Sequence, residues 1–299
     1  MYALEINNVN KIYDNKFTAL NDVSFKLTAG DFVGLLGVNG AGKTTLISAI
    51  AGINSYDGQI KVMGIDLKND LVAAKKNMGI VPQEIAFDPF TTVYQTLKLQ
   101  SGLYGVKNNK SWLDEVIVRM HLEDKIDANT RSLSGGMKRR LMVAQALVHK
   151  PPLIILDEPT AGVDVEIRKN LWDFITELHQ QGHTILLTTH YLEEVEKLCN
   201  HIVMIDKGKV IARSSKEELN HKANGMPTIF EVETKDGLFL DELRSLLIAT
   251  DNNKYTLRLA NNDQMMLVLN QLMAGGIKIE NMNISKPKLE DIFLNYLGH

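Results

Sequence analysis

A glycine-rich loop, Gly37-Val38-Asn39-Gly40-Ala41-Gly42-Lys43-Thr44, stands between the apolar run Phe32 to Leu36 and a helical pattern over Thr45 to Ala51. Strand, tight turn and helix in this order commit the chain to an α/β core. Such a turn lets successive backbone N–H groups converge on phosphate oxygens, and the helix N-terminus adds a favourable dipole. Lys43 brings a point charge for β- and γ-phosphates and Thr44 a hydroxyl for Mg²⁺, as a loop of this type requires. A plain tight turn would need neither side chain.

Around the loop, short β-branched runs alternate with helical stretches. Ile60 to Val62, Met78 to Val81, Leu153 to Leu156, Thr184 to Thr188 and Ile202 to Ile205 read as strands; Val165 to Gln180 and Leu192 to Leu198 read as helices. This alternation predicts a largely parallel sheet covered on both faces. From about 91 to 150 it stops. Val93 to Leu103, Trp112 to Met120 and Gly136 to Val148 keep helical spacing with no convincing strand between them, which predicts a helical insertion. A polar break near Asn220 to Pro227 carries Gly225. Beyond it, strands at Thr228 to Glu233, Tyr255 to Ala260 and Lys278 to Asn281 alternate with helices at Leu238 to Ala249, Gln264 to Met273 and Lys288 to Leu297. The expected organisation is a nucleotide-binding α/β domain over 1–222, with its helical subdomain at about 91–150, and a small accessory α/β domain over 227–299.

Composition excludes several classes. With 44% apolar and 23% charged residues the chain is an ordinary globular one, and a net charge of −3 gives no reason to expect nucleic acid. The single Cys199 rules out an internal disulfide and fits a reducing compartment; its amphipathic helical setting reads as that of a buried small hydrophobe. No apolar stretch approaches the roughly 20 residues of a membrane span. The N-terminus lacks the pattern of a signal peptide, so the expectation is a soluble, cytosolic chain.

The remaining chemistry gathers at strand ends. Asp157 and Glu158 close the apolar run Leu153 to Leu156 and point carboxylates toward the phosphate loop. An Asp there can hold Mg²⁺ through its water shell, and a Glu beside it can accept a proton from the attacking water. His190 follows Thr184 to Thr188. A lone His after a strand is more often a structural hydrogen-bonder, but a strand next to that of Asp157 would turn it into the same cleft. Gln83, after Val81-Pro82, can reach Mg²⁺ or the water, or simply be solvated. Tyr13, at the end of an N-terminal strand-like run, can stack on adenine or be a common surface or core tyrosine.

Taken together these residues resemble the ATP-binding subunit of an ABC transporter, with every family landmark in the family's order over roughly residues 4 to 215. Tyr13 matches the adenine-stacking aromatic, Gly37 to Thr45 the Walker A loop and Gln83 the Q-loop. Leu133-Ser134-Gly135-Gly136-Met137 matches the signature, Leu153 to Glu158 the Walker B strand, Ala161-Gly162-Val163-Asp164 the D-loop, and His190 the switch histidine. The resemblance implies a P-loop NTPase core of the ABC ATPase kind, with its helical subdomain between Gln83 and Ser134. It implies ATP and Mg²⁺ as cofactors. Tyr13, Gly37, Asn39, Gly40, Ala41, Gly42, Lys43, Thr44, Thr45, Ser134, Gly135, Gly136 and Asp164 would touch ATP. Thr44, Gln83 and Asp157 would face the metal, Glu158 would be the base, and His190 would contact the γ-phosphate.

Met137 stands where the commoner signature has Gln. The run through Lys138-Arg139-Arg140-Leu141, and the ending Pro287-Lys288-Leu289-Glu290-Asp291-Ile292-Phe293-Leu294, are similar to the ABC-2-type branch of bacterial inner-membrane ATPases that drive exporters. In the family the Ser134 loop is an anion cradle for ATP held by a second subunit, so a head-to-tail homodimer is implied. Transport would fall to a separate ABC-2-type permease, with this chain peripheral on the cytoplasmic face of the inner membrane. A groove around Ile85 to Tyr104 would receive a permease helix, marked by surface exposure of some of Ile85, Phe87 and Phe90.

Rival classes fit less well. A ribosome-associated or regulatory ABC ATPase is the alternative, but it would usually carry two cassettes and basic insertions. A chromosome-organising ATPase would be split by coiled coils. Asn15-Lys16-Phe17-Thr18 lacks the Asp of a guanine-reading motif and precedes the phosphate loop. In the tail, His221 and His299 are isolated and Met265-Met266 lies in a helical apolar stripe; that domain reads equally as a dimer or regulatory module and as a packing appendage.

Overall fold

A computed structural model describes residues 1–14, 16–85, 87–160, 162–189, 191–219, 227–235, 240–260 and 262–285. The chain divides into two compact units, Met1–Ser214 and Ser215–His299.

The first unit is built on two sheets. Strands β3 (Phe32–Leu36), β6 (Met78–Val81), β7 (Leu153–Asp157), β8 (Thr184–Thr188), β9 (His201–Asp206) and β10 (Lys209–Ser215) form one sheet in the order β10-β9-β3-β8-β7-β6. From β9 through β6 every neighbouring pair is parallel. All residues of β3, β7 and β8 are buried, which is why these strands read as unbroken apolar runs rather than alternating ones. Helices α1 (Lys43–Ile50), α2 (Leu71–Lys76), α3 (Val93–Leu103), α4 (Lys110–Arg119), α5 (Gly135–Leu147), α6 (Val165–Gln180) and α7 (Leu192–Leu198) complete the unit. Between residues 91 and 150 the described backbone is helical or irregular, with one isolated bridge, Thr92 to Asn129.

The second sheet departs from the sequence expectation. Strands β1 (Tyr2–Ile12), β2 (Thr18–Thr28), β4 (Asp57–Val62) and β5 (Ile65–Asp66) form an antiparallel sheet in the order β2-β1-β4-β5. Ile60 to Val62 therefore pairs with Leu4 to Ile6 and not within the parallel sheet. One face of this sheet supplies Leu4, Ile6, Leu20, Phe25 and Ile60 to a core shared with Leu46, Ile47 and Ile50 of α1 and with Val33, Ile155 and Leu186 of the parallel sheet. The helix that follows the phosphate loop is thus anchored from both sides, which fixes the loop.

The second unit is an antiparallel sheet of β11 (Thr228–Thr234), β12 (Leu247–Asp251), β13 (Lys254–Leu259) and β14 (Ile279–Ser285), ordered β12-β13-β11-β14. Phe230, Val232, Leu257 and Leu259 pack on Val268 and Leu272 of the helix Asn262–Ala274. The helix expected over Leu238 to Ala249 does not form: its described part is a short 3-10 turn, Asp241–Leu246, followed by β12. Asp251 pairs with Lys254, so Asn252-Asn253 makes a tight hairpin turn, with Asn252 at φ 50°. Asparagine tolerates that left-handed backbone, and hairpin pairing overrides the helical spacing of Leu243, Leu246 and Leu247. The expected helix Lys288 to Leu297, His221 and His299 lie outside the described residues.

Candidate functional site

The parallel strands end along one line. Leu35 of β3 pairs with Thr188 of β8, and Thr188 pairs with Asp157 of β7. The phosphate loop, Thr188 and Asp157 therefore share the carboxyl edge of the sheet, where ligands of open α/β folds bind. That β8 adjoins β7 is what the sequence reading of His190 required; His190 itself, like Ala161, lies outside the described residues.

Residues 37–42 join β3 to α1. Gly42 caps α1 at φ 109°, a backbone conformation open to glycine. A Cβ at Gly37 would meet the Ile205 carbonyl at 2.5 Å, and one at Gly42 would meet that of Ala19 at 2.6 Å. At Gly40 a Cβ would meet nothing within 4 Å, and Asn39 beside it is exposed while Ala41 is buried. Lys43 Nζ donates to the Gly37 and Val38 carbonyls at 2.6 and 3.2 Å, which holds the ammonium over the loop. Burial pulls the Lys43 pKa down, while Glu158 and Asp157 push it up. The Tyr13 hydroxyl lies 3.4 Å from Thr45 Oγ1 and accepts from Asn54 Nδ2 at 3.2 Å, mooring the ring beside the start of α1.

Thr44 Oγ1 donates to Gln83 Oε1 at 3.3 Å. Thr44, Gln83 and Asp157 line one cavity of about 540 Å³. A hydroxyl, an amide oxygen and a carboxylate are the donor set a hard cation such as Mg²⁺ takes. Asp157 is only 2% exposed, and Thr188 Oγ1 donates to its Oδ1. Burial raises the Asp157 pKa; the Thr188 hydrogen bond lowers it, Glu158 raises it, and Arg139 and Lys43 lower it. Its neighbour Glu158 sits at φ 51°, a left-handed conformation that costs a non-glycine residue about 1–2 kcal/mol. The Glu158 N–H donates to the Thr188 carbonyl at 3.0 Å.

The carbonyl of Glu158 is held by a residue to which sequence reasoning gave no role. Arg139, in the second turn of α5 and 2% exposed, donates from Nε to Glu158 O at 3.2 Å and from Nη2 to the carbonyls of both Asp157 and Glu158. Its Nη1 donates to Pro82 O at 2.6 Å and Gln83 O at 2.9 Å. Burial pulls its pKa down, and Asp157 and Glu158 push it up. The available signal was two arginines where α5 turns apolar. Arg140 points the other way, to the carbonyls of Met120 and His121 at 2.6 and 2.7 Å. A second missed group is Glu194 of α7, fully buried, which accepts from Thr160 Oγ1 and from Trp172 Nε1 at 3.2 Å.

Ser134 is the N-cap of α5 and accepts from the Met137 N–H at 3.3 Å. Ser134 and Gly135 are exposed, and a Cβ at Gly135 would meet nothing within 4 Å. Gly136 is more enclosed, with the Gly162 carbonyl 3.4 Å from where its Cβ would lie. Asp164 is exposed and caps α6 through its carbonyl, which accepts from the Arg168 N–H at 2.8 Å. One chain thus brings together Lys43, Thr44, Gln83, Asp157 and Glu158, and presents Ser134-Gly135 outward.

The chain is similar to known proteins along its length. Residues 20–161 match the family described as ABC transporter, and residues 216–297 match that described as ATP-binding protein DrrA1-3-like, C-terminal domain. The chain is 37% identical to the linearmycin resistance ATP-binding protein LnrL of Bacillus subtilis strain 168, across 99% of this chain and 98% of that one. It is 33% identical to the Nod factor export ATP-binding protein I of Rhizobium etli, across 100% and 94%. A solved ATP-binding subunit of an ABC transporter superposes with a TM-score of 0.70 at 28% identity, covering 74% of this chain and 92% of that one. A likeness running from end to end makes this chain a member of the ABC transporter family, an ATP-binding and ATP-hydrolysing subunit of the ABC-2 exporter type.

Proposed function

We propose that two copies of this chain close head to tail over two ATP molecules and drive export through a separate ABC-2-type permease. The observation that carries this reading is the outward-facing Ser134-Gly135 cap, an anion cradle set at a helix N-terminus and exposed in its own chain. A second copy supplies the phosphate it would grip. The γ-phosphate then favours the closed state, and hydrolysis removes that preference. Relatives named for linearmycin resistance and Nod factor export support outward transport.

In the site, Lys43 and the loop N–H groups hold the phosphates, and Tyr13 stacks on the adenine. Mg²⁺, held by Thr44, Gln83 and Asp157, would neutralise charge on the phosphates. The attacking water forms its bond to the γ-phosphorus as the bond to the ADP oxygen breaks, and Glu158 takes the water's proton. His190 contacts the γ-phosphate, and Asp164 faces the partner across the closed interface. Gln83 links this chemistry to the permease, since the segment after it leads into α3. Ile85 is 43% and Phe90 86% exposed, Phe87 is half-buried, and the same cavity that holds Thr44 and Gln83 runs past Ile53, Met78, Ile80 and Tyr104. That apolar wall suits a short permease helix. Among the described residues no helix is long and apolar enough to cross a membrane. In this reading the chain sits on the cytoplasmic face through its permease.

Purification of the full chain from membranes in mild detergent tests the reading. Co-purification of a protein with several hydrophobic spans is expected. Recovery with ribosomes, and without such a protein, would overturn it.

A further inference from the structure

We propose that Arg139 is a positioning residue that locks the hydrolytic end of β7 and the Gln83 segment to the helix bearing Ser134. The inference rests on the reading of Glu158 as the base. Three observations carry it.

The guanidinium reaches two segments far apart in sequence. Its Nη1 holds Pro82 O and Gln83 O at 2.6 and 2.9 Å, while Nε and Nη2 hold the carbonyls that end β7, with Nε 3.2 Å from Glu158 O. A planar fork with five donors can span carbonyls in this way; a lysine ammonium, a single centre, cannot. Next, one of the residues held is strained. Glu158 lies at φ 51°, its N–H tied to the Thr188 carbonyl at 3.0 Å and its own carbonyl tied to Arg139. A residue in that conformation persists where its surroundings over-determine it, and here Thr188 and Arg139 fix the peptide on either side. Finally, Arg139 belongs to α5, whose first residues follow the Ser134 cap. A shift of that cap on engaging a neighbouring copy's nucleotide would move the same rigid helix, and with it the carbonyls of Gln83 and Glu158. Arg139 thereby couples what Ser134 grips to how this chain's own Glu158 and Gln83 are set.

Steady-state ATPase assays and nucleotide binding on the full chain, with Arg139→Met and Arg139→Lys, test the proposal, with melting temperature recorded for each. Misplacing a catalytic group by about 1 Å costs about a hundredfold in rate. Arg139→Met is expected to lose about that factor in kcat, with KM and the affinity for a non-hydrolysable ATP analogue within about threefold of the parent. Arg139→Lys keeps the charge and is expected to recover melting temperature more than kcat. If Arg139→Met does not fold, Arg139→Lys decides alone: a loss of tenfold or more in kcat supports the clamp. Parental kcat in either folded variant overturns it, as does a loss of kcat that follows loss of melting temperature across the two. Glu158→Gln, assayed in parallel, separates the readings. If it abolishes turnover while folded Arg139→Met keeps the parental kcat, only the clamp fails. If it turns over normally, the role of Glu158 fails whatever Arg139 does.

Discussion

Thr44 and Gln83, 39 positions apart in sequence, meet at 3.3 Å, the hydroxyl of one donating to the amide oxygen of the other. This bond ties the phosphate loop to the segment that enters the helical region. α3 starts soon after it, fixed by a reciprocal cap between Thr92 and Gln95.

Gln83→Ala removes that oxygen without touching the loop. ATP binding should stay near the parental value, while turnover falls about tenfold, the effect of about 1.4 kcal/mol in the barrier. Raising Mg²⁺ should recover part of the loss. ATPase rate measured against Mg²⁺ concentration checks this; an unchanged curve would remove Gln83 from the metal's surroundings.

Glu194 carries stability. It is fully buried and accepts from both Thr160 and Trp172, linking the turn after β7 to α6 and α7. Glu194→Ala leaves two buried donors without an acceptor and should cost about 1–3 kcal/mol. Glu194→Gln keeps an acceptor oxygen and should cost less. Urea unfolding of the two variants orders them; equal midpoints would show that the hydrogen bonds contribute nothing beyond volume.

Much of this was legible before the fold was known, because the chemistry is local in sequence. The loop 37–44, the acid pair after an apolar strand, and Gln83 after another all lie at strand ends, and register brings strand ends together. What stayed hidden depends on distant pairing. Ile60 to Val62 reads as one more strand, and only its pairing with β1 assigns it to the antiparallel sheet. Leu243, Leu246 and Leu247 satisfy a helical period, while the Asn252-Asn253 turn that makes β12 lies outside that window. Arg139 drew no role from sequence because its partners, four carbonyls in other segments, are brought to it only by the fold.

His149 predicts a pH dependence. Its ring stacks on Tyr104 at 3.6 Å, Nε2 lies 3.1 Å from the Met78 carbonyl, and burial lowers its pKa from 6.5 to about 4. The folded state then binds fewer protons than the unfolded chain between those values, so stability falls as pH drops from about 6.5 toward 4. The melting temperature of the parent should drop more between pH 7 and pH 5 than that of His149→Phe. Parallel curves would contradict the assignment.

In the proposed dimer a second copy completes the site, and Glu158→Gln probes that closure. With the proton acceptor removed and the phosphate grip intact, the variant should elute from size exclusion as a dimer with ATP and as a monomer with ADP, and adding Ser134→Glu should abolish the ATP dimer. Parental turnover in Glu158→Gln, or an ATP dimer indifferent to Ser134→Glu, would contradict it.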